Sequence, residues 1–355
     1  MKLSPARYDA YLASGWFRGS VMLYKMDLLC IERDVYSVVN IRLSLPEHVF
    51  KTRHRKLLRR NDGQFTTVFG KAHPNAEKEA LYHQHKSRFK GFVHSSLRDY
   101  LTQGHPNTVF DTHELCVYDH DKLVAVSFFD LGQTALASLI GLYDPDYQSM
   151  SLGTYTMLKE ITYARELGLR WYYPGYVLDR PSTFNYKLAL GNFQYYNENK
   201  RWGNYANFDS SKTMAWKFNQ KMARVEDFLR HHAIEYKTWL YPFFSMGYMG
   251  YWNVSFLRSP QFLEIPIGPN PRTKLAVTYD LELGQYEILW LSIAHAHDHL
   301  VNMEISHEFQ QDTSYYMELM EVIAKDLETN NLEEIREFIV ALASRGRISS
   351  EDSTD

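Results

Sequence analysis

Cysteine is nearly absent: Cys30 and Cys116 are the only two thiols in 355 residues. That leaves no disulfide framework and no metal site built from cysteine alone. The opening residues Met1–Arg7 lead into no apolar core of a secretory signal. No window approaches the roughly 18–20 uninterrupted apolar residues of a membrane helix. Nor is there a low-complexity block, or an internal repeat at a period of about 20–50 residues. These absences point to a globular chain in the reducing cytosol.

What the chain does have is aromatic residues, 15% of the total, with 26 tyrosines. Two readings stay open: tyrosine-rich packing, or a groove that stacks on bases or grips a peptide. The net charge of −3 is unevenly spread. Residues 300–355 hold 13 acidic and 4 basic side chains, net −9, which leaves +6 on the rest. Such asymmetry fits a nucleic-acid-facing body with an acidic appendage, or solvation alone.

Along the chain, residues 1–103 form a first region. Val35–Leu45 is β-branched and partly alternating, so it reads as a strand, and Asn75–Leu101 reads as one helix. The turn-rich segment Gln103-Gly104-His105-Pro106-Asn107 marks a boundary. In residues 104–200, Leu115–Tyr118 and Lys122–Asp130 read as a hairpin, and Ala135–Tyr143 as another strand. Ser151–Leu167 reads as a helix, capped by Ser151 and ended by Gly168. The strand Arg170–Leu178 contains Pro174-Gly175 and must bulge or splay there, because proline cannot donate to a ladder. Residues 201–345 form an extension of unassigned role. Within it Thr213–Tyr236 reads as helix, Pro260–Thr273 as loop, Leu275–Ser292 as strand and Ser314–Ser344 as acidic helix. Residues 346–355 read as a disordered tail. Meander, helix with a tight N-terminal turn, then splayed strand is an order that suits an α/β acyltransferase core.

The most specific signal lies between Ile140 and Lys187. It runs Tyr143-Asp144-Pro145-Asp146, Ser151-Leu152-Gly153-Thr154-Tyr155, Ala164-Arg165-Glu166-Leu167-Gly168, Tyr173-Pro174-Gly175-Tyr176 and Asn185-Tyr186-Lys187. Upstream stand Gly15-Trp16-Phe17-Arg18-Gly19-Ser20 with Tyr24-Lys25, the basic run Arg55–Asn61, and Leu81-Tyr82 followed by Arg88. Taken in order, these resemble the arginyl-tRNA–protein transferases and the bacterial aspartate/glutamate leucyltransferases over about residues 12–200. The chain departs from that family in four places, one of them Phe89, which follows Arg88 where the family has Arg-His. The family's cysteine cluster after Tyr24-Lys25, associated with a metal or iron–sulfur centre, is reduced to Cys30, and four thiolates cannot be assembled. The family's Leu in Y-L-G-Y is Pro174 here. The proline and glutamate that trail its Y-K are missing from Leu188–Tyr195.

The resemblance implies a GNAT-like fold with a mixed, mostly antiparallel sheet. It also implies transfer of an amino acid, Arg or Leu, from charged tRNA to the free α-amine of an acceptor protein; with the cysteine cluster reduced to Cys30, no cofactor and no metal are expected. In the transfer step, candidate donors to the oxyanion are the backbone N–H groups around Gly153 and the hydroxyls of Tyr155, Tyr176 and Tyr186. Lys187 would pair with phosphate or the terminal ribose. Arg53, Arg55, Lys56, Arg59 and Arg60 belong to a run with six Lys/Arg in ten residues, Lys51–Arg60, suited to gripping a tRNA backbone. Trp16, Arg18, Tyr24 and Arg88 would frame the acceptor's N-terminus, and an acidic first residue would suit Arg18 or Arg88. Each of these side chains has a plainer reading as core packing or a solvated face. His295, His297 and His299 alternate as ligands on a strand would, or as a polar strand would. Two rival functions remain at this level: an acyl-CoA-dependent N-acyltransferase, and a non-catalytic adaptor that binds protein N-termini or tRNA.

Overall fold

A computed structural model describes residues 2–105, 108–248, 254–266, 273–294, 303–305, 309 and 311–344. His295, His297, His299 and the tail 346–355 lie outside the described residues. Helices are α1 (Pro5–Ala13), α2 (Thr52–Asp62), α3 (Ala76–His85), α4 (Leu97–Thr102), α5 (Leu152–Glu166), α6 (Met214–His231) and α7 (Leu332–Ser344). Strands up to the middle of the chain are β1 (Phe17–Gly19), β2 (Met22–Tyr24), β3 (Leu28–Ile31), β4 (Asp34–Ser44), β5 (Thr66–Lys71), β6 (Phe92–His94), β7 (Thr112–Asp119), β8 (Lys122–Leu131), β9 (Ala135–Tyr143), β10 (Trp171–Tyr173) and β11 (Tyr176–Leu178). They continue with β12 (Phe193–Tyr196), β13 (Trp202–Asn204), β14 (Lys237–Leu240), β15 (Gln261–Ile265), β16 (Thr273–Asp280), β17 (Gln285–Ile293), β18 (Met303–Ile305) and β19 (Met320–Thr329). The chain divides into two compact units: Met1–Asp27 with Val38–Asp209, and Leu28–Ser37 with Ser210–Asp355. The first unit thus takes in residues from both sides of the Gln103–Asn107 turn.

The first unit is a mixed α/β structure around one sheet in the order β13-β12-β4-β10-β9-β8-β7-β5, with β11 following β10 along β4. All its pairings are antiparallel except β9 with β10. This is the mixed, mostly antiparallel sheet expected. Alternate side chains leave a strand on opposite faces. Leu115 and Val117 of β7 therefore join the core under α5, with Leu152, Tyr155, Leu158 and Ile161. Their neighbour Cys116 joins the core on the other face, with Leu81 and Tyr82 of α3 and Leu97 and Leu101 of α4. Each fully buried aliphatic or aromatic side chain here contributes about 1.5–3 kcal/mol. In β4, Val39, Ile41 and Leu43 are buried and alternate with partly exposed Asn40 and Arg42, so apolar packing fills the stretch where a cysteine cluster is missing.

Asn75–Leu101 is not one helix. Asn75 caps α3, but the chain is extended at Phe89 and Gly91 has φ +80, so α3 ends and β6 intervenes before Ser96 caps α4. Helical spacing survived the break because Leu81, Tyr82, Leu97 and Leu101 face the same core.

The second unit is an antiparallel sheet in the order β14-β15-β16-β17-β19. On it α6 packs against β16, and α7 against β17 and β19. Two expectations fail here. Pro260–Thr273 contains β15, which pairs with both β14 and β16. Ser314–Ser344 is a strand, β19, followed by a helix; pairing with β17 over Tyr286–Ile293 overrides the helix-forming Glu, Ala, Lys and Leu residues of that stretch.

Candidate active site

β9 and β10 run parallel only over Ala135–Ala137 and Trp171–Tyr173. Pro174 then offers no N–H, and Gly175 takes φ +88, a conformation that a side chain would strain. Beyond that break β11 pairs with β4, Tyr176 opposite Asn40, while β9 continues along β8 to Tyr143. The two strands therefore diverge from Ser138 onward. A bulge at Leu139 accompanies the divergence, and its carbonyl accepts from the Tyr100 hydroxyl at 3.1 Å.

The N-terminus of α5 is uncapped by side chains. Ser151 occupies the cap position but lies in the left-handed region, φ 53 and ψ 44, and its hydroxyl makes no capping bond. The expected Ser151 cap is thus absent, because a cap residue needs extended backbone to aim its oxygen at the first turn. The unpaired N–H groups of the first turn and the positive end of a 15-residue helix are left to an oxyanion or anion. A Cβ at Gly153 would lie 3.5 Å from Tyr143 Cε1, an ordinary contact, so the fold does not itself demand glycine. Arg88 donates to the Tyr143 hydroxyl and its guanidinium sits 4.8 Å from that ring's centre. Through Tyr143, Arg88 and Gly153 are brought together.

Lys187 comes from a 3-10 turn, Thr183–Leu190, whose start is fixed by a reciprocal Ser182–Asn185 capping box. Its ammonium donates to the Tyr176 carbonyl at 3.0 Å and stands 5.2 and 5.3 Å from the Tyr176 and Phe184 ring centres. Burial, with no carboxylate to offset it, pushes Lys187 down to about 8. The Tyr176 ring also meets Phe17 at 5.4 Å, and burial raises its hydroxyl. Tyr186, one residue before Lys187, is 55% exposed.

Sequence reasoning missed Glu160. It is 0% exposed on α5 and accepts from the Tyr172 hydroxyl at 2.7 Å. Burial pushes its carboxyl up to about 7, and the Tyr172, Ser127 and Ser138 hydroxyls beside it hold it from rising further. The signal was present in the spacing, since Glu160 falls four residues from both Thr156 and Ala164, which are buried on the same side of the helix.

All five basic residues proposed for tRNA lie exposed on α2. Partly buried Leu57 and Leu58 side chains pack this helix onto the core under α5. At one end, Arg53 donates to the Ala189 carbonyl at 3.0 Å. At the other, Arg60 and Asn61 both donate to the Met150 carbonyl at 2.9 Å. The basic helix is therefore tied to the Lys187 segment and to the residue that precedes the α5 turn.

Other expected site residues are committed elsewhere. The Tyr155 hydroxyl is buried and donates to Asp62 at 2.7 Å. Arg18 is buried, paired with Asp130 at 2.6 Å, and donates also to Thr112, the Leu101 carbonyl and the Ser20 carbonyl. Its side chain is only 2% exposed, which keeps it from an incoming acceptor. Trp16 packs on Tyr11 at 5.6 Å. Tyr24 lies beside Phe17, at 5.9 Å, and its hydroxyl is close enough to Tyr176 and Tyr100 to raise both. Cys30 is a buried residue of the β3–β4 pair, and no other cysteine shares its unit.

Residues 66–197 match the family described as arginine-tRNA-protein transferase, C terminus. Among curated proteins, the chain is 29% identical over 182 residues to the aspartate/glutamate leucyltransferase of Leptospira interrogans, spanning 50% of this chain and 69% of that one. It is 27% identical over 198 residues to the aspartate/glutamate leucyltransferase of Vibrio parahaemolyticus, spanning 55% and 82%. Among solved structures, a GCN5-related glucosamine N-acetyltransferase region of a fungal multi-domain β-N-acetylglucosaminidase overlaps 56% of this chain and 22% of that one, at 10% identity and a TM-score of 0.32.

Proposed function

We infer that the chain, whose residues 66–197 match the arginine-tRNA-protein transferase C-terminal family and which is similar to aspartate/glutamate leucyltransferases, moves an aminoacyl group from a charged tRNA to the N-terminal α-amine of a protein. The observation that carries this reading is the placement of α2. One basic helix is fastened at Ala189, two residues from Lys187, and at Met150, one residue from the α5 turn. A tRNA backbone held along α2 supports delivery of the 3′ end to the diverging strands between those points.

An aminoacyl ester is already activated, so alignment supplies much of the rate. An α-amine with a pKa near 8 is partly neutral at pH 7. The remaining demand is the oxyanion, for which a good donor contributes roughly 3–4 kcal/mol. The first-turn N–H groups of α5 at Gly153 suit that role. The exposed Tyr186 ring suits stacking on the terminal base, and the Lys187 ammonium suits the ribose or a phosphate. On the acceptor side Arg88 is the exposed guanidinium, and it favours an acidic first residue. In this reading residues 104–200 carry the transfer, residues 1–103 contribute tRNA and acceptor contacts, and 201–345 form an added module. No helix of the described residues is long and apolar enough to cross a membrane, and a charged-tRNA donor places the reaction in the cytoplasm.

The test is incubation with radiolabelled arginyl-tRNA and leucyl-tRNA separately, each with peptides beginning in Asp or Glu. Label from one donor should appear in the peptide. Tight binding of charged tRNA with no transfer from either donor would replace this reading with the adaptor.

A further inference from the structure

On β4, Val39, Ile41 and Leu43 turn to the core under α5, so Arg42 turns to the opposite face of the sheet. The same alternation puts Trp171 of β10 and Gln194 of β12 on that opposite face, since Tyr172 and Phe193 join the α5 core. Trp202 of β13 packs there too, with Trp171. The Arg42 guanidinium lies over both indoles, 3.7 Å from the Trp171 ring centre and 4.2 Å from that of Trp202. Its Nε donates to the Gln194 side chain at 2.8 Å, and one terminal nitrogen reaches the Tyr173 hydroxyl at 3.4 Å. A second guanidinium, that of Arg170, stands 5.3 Å from the same Trp171 ring. Arg170 is exposed, and Arg42, Trp171 and Trp202 are partly so. Neither arginine has an acidic partner among the described residues. Two like charges beside one ring repel, and a half-desolvated guanidinium without a carboxylate is costly. Tryptophan and arginine are also the side chains that dominate protein interfaces. Trp171 lies three residues before Pro174, about 10 Å of extended chain from the point where β9 and β10 part. α2 packs on the α5 side, so this patch and the basic helix occupy opposite faces of one sheet.

We propose that this face holds the acceptor protein, through an acidic side chain about four to six residues from its N-terminus that pairs with Arg42 and Arg170. The proposal rests on the aminoacyl-transfer reading above, in which α2 keeps the tRNA on the other face. Two macromolecules must meet at the diverging strands, and the sheet separates the surfaces left to each. An extended acceptor covers about 3.3 Å per residue. With its α-amine at the divergence, its fourth residue is the first to span the distance to Trp171. The partner is acidic because both unpaired groups are cations. A carboxylate accepts from the Arg42 terminal nitrogen that Tyr173 does not use and from the Arg170 fork, in charge-assisted bonds. The indoles beside them exclude water and strengthen those bonds. Acceptor choice therefore extends beyond the first residue, through side chains separate from Arg88.

The experiment compares two acceptor peptides that both begin in Asp. One carries Asp and the other Ser at positions four to six, and they are otherwise identical. With one charged tRNA, wild-type kcat/KM should favour the acidic peptide by about tenfold, a difference carried by KM. Arg170→Glu leaves the Arg42 stack in place and should bring that ratio to about one or reverse it. Arg42→Gln should lower it as well. Affinity for the charged tRNA, by filter binding, should stay within about twofold in both variants. A wild type that does not distinguish the peptides overturns the proposal and leaves the transfer reading intact. So does an Arg170→Glu protein with the wild-type preference. A steep loss of tRNA affinity in Arg170→Glu also overturns it, and assigns this face to the tRNA. A wild type that transfers to neither peptide from either charged tRNA overturns both readings. If Arg42→Gln does not fold by circular dichroism, the exposed Arg170→Glu substitution decides alone.

Discussion

Lys187 donates to the carbonyl of Tyr176 at 3.0 Å across the glycine where the strand breaks, and a Cβ at Gly175 would lie 3.5 Å from that ammonium. One donor of three is thereby used inside the protein. The others remain for an anion or a ribose. Pro174-Gly175 is thus more than an interruption in a strand, because it turns a backbone oxygen toward a lysine that has no counter-ion among the described residues.

Lys187→Met should uncouple stability from function. The folded value of about 8 lies below the ordinary 10.5, so between those values the unfolded chain binds more protons and stability rises with pH. Below about 8 the full cost of the desolvated ammonium is present. The variant should therefore be more stable at pH 7, by up to about 3 kcal/mol, and the gain should fade towards pH 10.5. Its kcat/KM for charged tRNA should fall by about tenfold or more, a lost charged hydrogen bond of roughly 1.5–3 kcal/mol. Urea unfolding at pH 7 and 10, with a transfer assay, checks both.

Tyr155 and Arg18 should behave as structure. Tyr155→Phe removes the donor to Asp62, which also accepts from Lys159 at 3.2 Å. About 1–2 kcal/mol of stability should go, with kcat within about threefold of wild type. Arg18→Ala strands Asp130 in the core and should cost about 3–5 kcal/mol. A Tyr155→Phe protein that unfolds normally yet transfers a hundred times more slowly would restore Tyr155 to the reaction.

On α2 the structure divides one basic run into two roles. Arg55, Lys56 and Arg59 point to solvent, whereas Arg53 and Arg60 hold backbone carbonyls of the site. Changing Arg55, Lys56 and Arg59 to Glu should weaken tRNA binding at least tenfold at low salt. It should also flatten the logarithmic salt dependence by about one per residue removed. Filter binding over a salt series measures it. Equal affinity and slope would remove α2 from the interface.

How far the sequence spoke depended on whether local pattern and tertiary partner agreed. Ala135–Tyr143 and the 122–131 strand were readable because their apolar residues have both faces or one face of a sheet to fill. Met320–Thr329 was not, since its residues favour helix and only the ladder with β17 makes them a strand. Around the diverging strands, motif order singled out Lys187 and Arg88, but their contacts with the Tyr176 carbonyl and the Tyr143 hydroxyl come only from the fold. Arg18 stood in the same kind of motif, but nothing local announces Asp130, which is 112 residues away. Glu160 was overlooked beside Lys159 as one half of an ordinary-looking solvated pair, although its spacing to Thr156 and Ala164 put it on the buried side of α5.

Gly153→Ala tests the α5 turn directly. The added methyl meets Tyr143 at 3.5 Å and alanine favours helix over glycine by about 1 kcal/mol, so the fold should be unharmed or firmer. The methyl nonetheless stands over the uncapped first turn, where an ester oxygen would approach. Transfer should drop by about 100-fold, with tRNA affinity retained. A variant that is both stable and fully active would move the oxyanion away from this turn.

Arg88 carries the prediction about the acceptor. It is exposed, and its one described anchor is the Tyr143 ring and hydroxyl, so much of the guanidinium fork faces solvent beside the α5 turn. A carboxylate on the first residue of a peptide would pair with that fork in two parallel bonds, while its α-amine, one residue-length away, points to the diverging strands. Arg88→Gln keeps a donor to Tyr143 and removes the charge. It should lower kcat/KM for peptides beginning in Asp or Glu by about tenfold, and leave the rate with an uncharged first residue unchanged. Peptides identical beyond position one, assayed with both proteins, separate the two effects: a uniform loss across the panel would mean that Arg88 supports Tyr143 and does not read the acceptor.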